Sequence, residues 1–322
     1  MNELWLHIGH GKTGSSYLQA VLAQSLVPLE KEGFTYPVND SVHAAQKNRV
    51  SAGNAGVLLS PHIKTLDTDT WRADVSRNER RKYLFSGEAI FYRLANGTAQ
   101  DRILEILSSH NITKIFILAF IRNPVEHVWS AYQQFVQKQG FAGPVDVVLG
   151  AYKEPHAVRA LLEEQFGLPN TEVRVVNYSA NRTRIVDTLA DWLRVPRRGL
   201  NSPAANKINR SLTDFELALM RSLNAEFGQR ASSIADELIR RFPDLNAGPI
   251  RAPSHLIEAM LDRLADDLQA VNRLLQSDQQ YDLNYTFPQQ HDSSPVTDEY
   301  LAVLTDLLAS ELGMQSAERV NI

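Results

Sequence analysis

The stretch that most constrains what this chain can fold into is LWLHIGHGKTGSSYLQAVL, between residues 4 and 22. Its first five residues form an apolar run of strand length, glycines at 9, 11 and 14 interrupt the run, and an apolar pattern of helical period follows. This order is typical of an anion-binding turn, because glycines let the backbone approach an anion and the first helical amides point at it. The stretch therefore predicts a phosphate site to which Lys12 adds a full positive charge. The other residues of the predicted site are Thr13, Gly14, Ser15 and Ser16.

The position of the lysine distinguishes this loop from that of the nucleotide kinases. A kinase P-loop reads G-x-x-x-x-G-K-[ST], with the lysine directly after the second glycine. Here Gly9 and Gly14 have the right separation, but Ser15 follows the second glycine and the lysine lies inside the loop at Lys12. The segment KTGSS resembles the 5′-phosphosulfate loop of the sulfotransferases that use 3′-phosphoadenosine 5′-phosphosulfate (PAPS). That loop is written K-[TS]-G-[TS]-[TS], and the segment fits it at every position.

A second segment resembles the other half of the donor site in that family. Residues 114–121, KIFILAFI, form an apolar run typical of a buried strand, and Arg122, Asn123 and Pro124 end it. Pro124 suits the first turn of a helix, and apolar residues of helical spacing follow. Sulfotransferases carry an arginine that leaves a central strand and a serine eight residues later, so the resemblance implies that Arg122 and Ser130 bind the 3′-phosphate. Taken alone, the pair also fits an arginine that binds a carboxylate and an ordinary helical serine.

Strand-like and helix-like segments alternate along the first part of the chain, which predicts βαβ units and a parallel sheet. Together with the resemblance, this predicts an α/β fold: three-layer αβα with a central, mainly parallel sheet, of the P-loop nucleotide-binding type, with extra C-terminal helices. One domain is expected over 1–322. Its expected parts are a nucleotide-binding core at 1–200, an insertion at about 28–80 that shapes the acceptor side by analogy, and a helical part at 201–322. The predicted helices lie at 97–110, 156–166, 182–193, 254–276 and 297–312, and a surface connection is expected at 140–155.

Composition and charge argue against several classes of function. The 322 residues carry 33 Lys and Arg against 37 Asp and Glu, a formal net charge of −4, which argues against a general nucleic-acid binder. The chain has no cysteine, so it can form neither disulfides nor a thiolate metal site. No apolar run has the length of a signal-peptide core or a membrane span. We therefore expect a cytoplasmic protein without a membrane span, and the sequence leaves its oligomeric state open.

Two residues are candidates for a general base. Glu88 follows the short strand YLFS at 83–86, and a carboxylate after a core strand lies at the carboxyl edge of the sheet, where ligands bind. Several sulfotransferase branches, notably those that act on carbohydrates, use a glutamate as the base, and others use a histidine. His43 is therefore the second candidate. The alternatives are a helix-start glutamate stabilised by the helix dipole for Glu88 and a solvated loop histidine for His43.

A late basic segment, PAANKINRS at 203–211, has the position of the loop with which sulfotransferases close over the nucleotide. The resemblance implies that Lys207 or Arg210 contacts the 3′-phosphate, and a solvated basic loop is an equally good interpretation. Tyr178 ends a predicted strand at a place where the family usually has Tyr-Glu. Because Ser179 replaces the glutamate, we expect Tyr178 to be structural.

The resemblance implies an enzyme that moves a sulfuryl group from PAPS to a hydroxyl or amine acceptor, a carbohydrate or another small molecule, and releases PAP, the adenosine 3′,5′-bisphosphate. In such an enzyme Lys12 neutralises the departing oxygen, and Glu88 or His43 takes the proton of the acceptor. No metal is expected. Two alternatives stay open: an ATP- and magnesium-dependent phosphotransferase of the P-loop type, and a non-catalytic nucleotide-binding protein.

Overall fold

A computed structural model of the chain describes residues 1–60, 81–163, 168–203, 210–245, 250, 252–283 and 296–312. These residues contain a five-stranded parallel sheet with the strand order β2-β3-β1-β4-β5. The strands are β1 (Asn2–Gly9), β2 (Phe34–Thr35), β3 (Lys82–Ser86), β4 (Ile112–Ile121) and β5 (Thr171–Asn177). The parallel sheet predicted from the sequence is confirmed.

Helices form most of the other regular structure. They are α1 (Ser15–Gln24), α2 (Leu26–Lys31), α3 (Asp40–Gln46), α4 (Glu88–Ala95), α5 (Gln100–Ser109), α6 (Pro124–Lys138), α7 (Val145–Ala151), α8 (Glu154–Glu163), α9 (Tyr178–Asn181), α10 (Ile185–Leu193), α11 (Asp214–Phe227), α12 (Ser232–Arg241), α13 (Ser254–Arg263), α14 (Ala265–Leu274) and α15 (Asp298–Leu312). Within the described ranges, none of these helices combines the length and the apolar character that crossing a bilayer requires.

The sheet lies between two layers of helices. On one face Trp5 of β1 stacks on Phe116 of β4, with ring centroids 4.0 Å apart, in an apolar cluster that includes residues of α1, α3 and α10. The alternate residues Leu4, Leu6 and Ile8 of β1 are buried as well, and α4 packs on β1 while α5 packs on β4. Burial on both faces explains why the central strands are continuous apolar runs rather than alternating patterns. The predicted three-layer αβα architecture is confirmed.

The contacts of the chain divide it into two compact units. The first unit comprises Met1–Pro124, Lys153–Ile208 and Arg263–Leu283. The second unit comprises Val125–Tyr152, Asn209–Asp262 and Asn284–Ile322. The first contains the whole sheet with the helices that cover it, and the regular elements described for the second are helical. The single domain over 1–322 stays a prediction.

The second unit contains a capped helix and a buried ion pair. Helix α11 begins with the capping box predicted by the TDFE sequence: Thr213 Oγ1 accepts from the Glu216 N–H, and the Glu216 carboxylate accepts from the Thr213 N–H at 2.8 Å. The same carboxylate accepts two hydrogen bonds of 2.7 Å from the Arg210 guanidinium. Tyr300 of α15 donates a further one at 2.9 Å. These bonds tie α15 to the start of α11.

Three local expectations are wrong. The helix expected at 254–276 is interrupted at Leu264, which separates α13 from α14, and the division between the two units falls close to it, between Asp262 and Arg263. The segment 140–155 is more than a surface connection, since it contains α7 with Val148 and Leu149 buried. His43 lies in α3 rather than in a loop, because Asn39 caps that helix by accepting from the Val42 N–H.

Candidate active site

Two positions in the loop between β1 and α1 must be glycine, because neighbouring atoms lie too close to leave space for a Cβ atom. A Cβ atom at Gly9 would lie 2.8 Å from Thr13 Oγ1 and 2.9 Å from the carbonyl oxygen of Phe120. Gly14 has a φ of +81°, and a Cβ there would lie 2.7 Å from Tyr178 Cε2. Only glycine fits at both positions, and the Tyr178 ring packs directly on the loop.

The end of the loop is electrically positive. Lys12 has a left-handed backbone with a φ of 65°, and Gly14 then caps α1. The first amides of an α-helix have no partner inside the helix, and α1 has no acidic residue in its first turn. Together with the half-buried Lys12, these amides form a place suited to a phosphate or sulfate group.

The hydroxyl groups of Thr13 and Ser15 are turned inward. Thr13 is fully buried, and its Oγ1 donates to the carbonyl oxygen of His10 at 2.8 Å. The Oγ of Ser15 lies 3.4 Å from Thr13 Oγ1, and Ser15 is buried too. Ser16 is half-buried. The Thr13 hydroxyl therefore braces the loop.

Glu88 lies against this loop. Glu88 is the first residue of α4, and its side chain hydrogen-bonds Ser15 and interacts electrostatically with Lys12. Its Oε2 is 3.7 Å from the position that a Cβ of Gly11 would occupy. Burial raises the pKa of the Glu88 carboxyl above its ordinary value, and the Ser15 hydrogen bond and the Lys12 charge oppose this only in part. The fold thus brings a carboxylate and a lysine from separate elements into one small region.

Arg122, at the end of β4, is joined to the same loop. Its Nη1 donates to the carbonyl oxygen of Lys12 at 3.0 Å, and its backbone N–H donates to His10 Nε2 at 3.1 Å. Its guanidinium carbon lies 5.5 Å from the centroid of the Tyr178 ring. The basic residues of the two sequence motifs are therefore neighbours within the first unit. Ser130 lies half-buried in the part of α6 that belongs to the second unit.

Side chains at the end of β5 and just after it hold the segment that follows Arg122. Asn177 Nδ2 donates to Asn123 Oδ1 at 2.9 Å, and the Asn123 N–H donates to Ser179 Oγ at 3.1 Å. Ser179, which stands where the family has a glutamate, thus holds the residue that follows Arg122. Sequence reasoning missed this contact because it joins two strand ends that are distant in the chain.

Sequence reasoning also missed two side chains near Glu88. Tyr92 lies one turn later on α4, and its phenol hydrogen-bonds the backbone of Gly11 and the carboxyl group of Glu154. Burial raises the pKa of Glu154, against the effect of the hydrogen bond from Tyr92. The i, i+4 spacing of Glu88 and Tyr92 is a signal that could have found the tyrosine. Glu154 begins α8, far along the chain, so no local pattern could have found it.

Two other candidates lie in different surroundings. His43 is exposed on α3, and its Nδ1 is 3.2 Å from Gln46 Oε1; the contacts described above for the loop do not include it. Arg210 is neither solvated nor turned to a phosphate, because it is 6% exposed and its guanidinium bonds the Glu216 carboxylate and the carbonyl oxygen of Phe242. Its expected phosphate contact is therefore replaced by a structural ion pair. Lys207 lies outside the described residues.

Comparison with known proteins gives only distant likenesses. No family model matches the chain, and no curated protein matches its sequence. Retinol dehydratase with androsterone and the inactive cofactor PAP is 12% identical, with 83% of this chain and 80% of that chain covered and a TM-score of 0.32. Retinol dehydratase with retinol and PAP is 12% identical, and the match covers 88% of this chain and 83% of that chain with a TM-score of 0.33. Mouse sulfotransferase SULT7A1 complexed with PAP is 12% identical, and the match covers 98% of this chain and 86% of that chain with a TM-score of 0.29. Likenesses this weak carry no argument about activity.

Proposed function

We propose that this chain is a PAPS-dependent sulfotransferase that moves a sulfuryl group to a hydroxyl or amine of a carbohydrate or another small molecule. The observation that carries the proposal is the meeting of three groups at one loop: the Lys12 ammonium, the Arg122 guanidinium and the Glu88 carboxyl group. Two cations suit a donor with two separate phosphate groups. A carboxyl group of raised pKa suits a base, whereas a loop that only binds an anion gains nothing from a nearby negative charge.

The two glycines support this proposal because they let the loop pack closely against Phe120 and Tyr178, at the start of α1. In the proposed reaction the first amides of α1, with Ser15 and Ser16, hold the 5′-phosphate. Lys12 neutralises the charge that develops on the departing oxygen, and such electrostatic stabilisation is usually the largest single contribution in group transfer. Arg122 binds the 3′-phosphate in this proposal, which distinguishes PAPS from ATP, and the role of Ser130 stays a prediction from the sequence.

Glu88 is the base in this proposal. It accepts the proton of the acceptor hydroxyl as the oxygen attacks sulfur, and its raised pKa makes its ionised form a stronger base than an exposed carboxylate. The Ser15 hydroxyl orients the carboxylate, and Lys12 stabilises its negative charge before transfer. His43 is the alternative base, and a substitution distinguishes the two below.

The first experiment is calorimetric titration of the desalted, metal-free protein with PAP and, separately, with ATP plus magnesium. We expect PAP to bind without added metal and Arg122→Ala to weaken it about 10- to 100-fold, because a charge-assisted hydrogen bond is lost. Arg174→Ala is the matched control, since Arg174 is an exposed arginine of β5 and its loss should leave PAP affinity unchanged. A preference for ATP with magnesium would make the chain a phosphotransferase, and binding without turnover of any acceptor would favour a non-catalytic nucleotide-binding protein.

A pair of glycines tests the loop itself. Gly14 and Gly33 both have a φ of +81°, but a Cβ at Gly33 would meet nothing within 4 Å, whereas one at Gly14 would meet Tyr178. Gly33→Ala therefore carries only the cost of a left-handed alanine, about 1–2 kcal/mol of unfolding free energy. We expect Gly14→Ala to carry a similar cost in stability and, in addition, to weaken PAP binding at least tenfold. Equal PAP affinities in the two variants would remove the loop from the donor site.

A further inference from the structure

His10, which lies outside both the KTGSS segment and the Arg122 segment, joins the two halves of the proposed donor site. We propose that it is a positioning residue that makes the Lys12 loop and Arg122 bind the donor nucleotide as one unit. The ligand class that benefits is a nucleotide with phosphates at both the 3′ and the 5′ positions, as opposed to a 5′-monophosphate. This inference rests on the proposed function and deepens it.

The hydrogen bonds of the imidazole ring admit a single tautomer. The backbone N–H of Arg122 can only donate, so His10 Nε2, 3.1 Å away, carries a lone pair. The carbonyl oxygen of Gly11 can only accept, so His10 Nδ1, also 3.1 Å away, carries the proton. A neutral ring protonated on Nδ1 satisfies both partners and connects the end of β4 with the loop.

Burial keeps the ring in this neutral form. His10 is 1% exposed, and Phe91 packs edge-on against it with ring centroids 5.7 Å apart. Burial lowers the pKa of His10 to about 4; the hydrogen bond to Gly11 opposes this, and the charge of Arg122 adds to it. A protonated ring would turn an N–H toward the Arg122 N–H and lose that hydrogen bond. The neutral ring is therefore the form that holds the two elements together.

Two further hydrogen bonds complete the connection. Arg122 Nη1 donates to the carbonyl oxygen of Lys12, and Thr13 Oγ1 donates to the carbonyl oxygen of His10. Arg122 is thus held to the loop at residue 10 and again at residue 12, on both sides of Gly11. A phosphate that orders one element therefore also orders the other. Coupled sites of this kind typically change each other's affinity by about 5- to 150-fold.

The test compares PAP with adenosine 5′-monophosphate by calorimetry in the unsubstituted protein, His10→Ala and His10→Gln. We expect His10→Ala to weaken PAP about 10- to 100-fold and the 5′-monophosphate less than about threefold, because only the bisphosphate uses both elements. The amide oxygen of His10→Gln can accept from the Arg122 N–H, so this variant should recover part of the loss. Equal losses for the two nucleotides in His10→Ala would overturn the inference.

A matched control separates coupling from stability. His7 lies on β1, three residues before His10, is 1% exposed like His10, has a pKa lowered by burial to about 4, and bonds Ser86 Oγ at 2.8 Å. We expect His7→Gln to lower the melting temperature but to leave the ratio of PAP to 5′-monophosphate affinity unchanged. If the unsubstituted protein shows no preference for PAP, the proposed function fails. If the preference is present and His10 variants keep it, only the role of His10 fails.

A measurement on the unsubstituted protein decides the matter even if a variant does not fold. With uniformly ¹⁵N-labelled protein, NMR at neutral pH should find the proton of His10 on Nδ1 and a scalar coupling between Nε2 and the Arg122 amide nitrogen. A proton on Nε2, or a charged ring, would contradict the inference directly.

Discussion

Two glutamates in the first turns of helices, Glu88 in α4 and Glu216 in α11, have opposite electrostatic environments. Glu216 is fully buried, yet two hydrogen bonds from Arg210, one from the Thr213 N–H and one from Tyr300 satisfy it. Burial pushes its pKa upward, but these bonds outweigh burial and leave the pKa below its ordinary value. For Glu88 burial prevails, and its pKa is raised.

The difference shows how burial and hydrogen bonding together set the proton affinity of a carboxyl group. A buried carboxylate with a matched guanidinium has its charge stabilised, so it holds a proton weakly and serves the fold. Glu88 has a hydroxyl and a nearby lysine but no bidentate arginine among the interactions that set its pKa, so its affinity for a proton is high. Groups of this second kind concentrate at functional sites.

The largest expected effect is on catalysis at Glu88. Glu88→Gln keeps the size and hydrogen-bonding ability of the side chain but removes the base, so we expect kcat to fall about 10²- to 10⁴-fold while PAP affinity changes little. Glu299→Gln, an exposed first-turn glutamate of α15, is the control and should leave kcat unchanged. If His43→Asn shows the large loss instead, His43 is the base.

The second effect is on stability at Arg210. Arg210→Ala leaves the Glu216 charge buried without its cation, so we expect the free energy of unfolding to fall by about 3–5 kcal/mol. Urea titration measures this, with Glu237→Gln, which removes the surface ion pairs with Arg240 and Arg241, as a control that should shift the midpoint far less. PAP affinity should be unchanged below the melting transition. A selective loss of PAP affinity would return Arg210 to the donor site.

The third effect is a pair of opposite pH dependences. The stability that Glu216 contributes is present above its unfolded pKa of about 4.3 and is lost as pH falls through its lower folded pKa. Glu88 has the reverse sign: the folded protein holds its proton more tightly, so its contribution declines as pH rises from about 4.3 through its raised folded pKa. Urea titrations across acidic and neutral pH should show that Glu88→Gln removes the decline on the alkaline side and Glu216→Gln the decline on the acid side. Parallel changes in both variants would refute the contrast.

The smallest effect concerns one hydrogen bond to Glu216. Tyr300→Phe removes only the hydroxyl, and Glu216 keeps its bonds to Arg210 and Thr213, so we expect a loss of about 1.5 kcal/mol in the free energy of unfolding. The melting temperature and the urea midpoint both report it. A loss as large as that of Arg210→Ala would mean that the tyrosine stabilises the buried charge as much as the arginine does.

Local signals explain which parts of the fold the sequence predicts. The strands around Leu4–Ile8 and Lys114–Ile121 are continuous apolar runs, and the capping box of α11 is a four-residue pattern, so each is visible without knowledge of the fold. The break at Leu264 is not visible in the sequence, because apolar residues of helical spacing continue through it.

The residues of the candidate site likewise fall into two groups, those with a local sequence pattern and those without one. The glycine loop and the Arg122 motif have local patterns, and the sequence predicts both. The roles of Arg210 and His10 depend on partners that only the folded chain supplies: a guanidinium in a basic segment resembles a phosphate ligand until its carboxylate is seen. His10 makes its decisive contact with Arg122, more than a hundred positions away.

The left-handed backbone of Lys12 lowers the stability of the fold at a residue that the proposed reaction requires. A residue other than glycine in this conformation costs about 1–3 kcal/mol, so glycine is the better residue for the fold at the position where the proposed chemistry requires an ammonium group. Directed evolution for heat resistance alone would therefore tend to replace this lysine. A thermostable descendant of this chain that keeps lysine at position 12 retains it because turnover was selected as well.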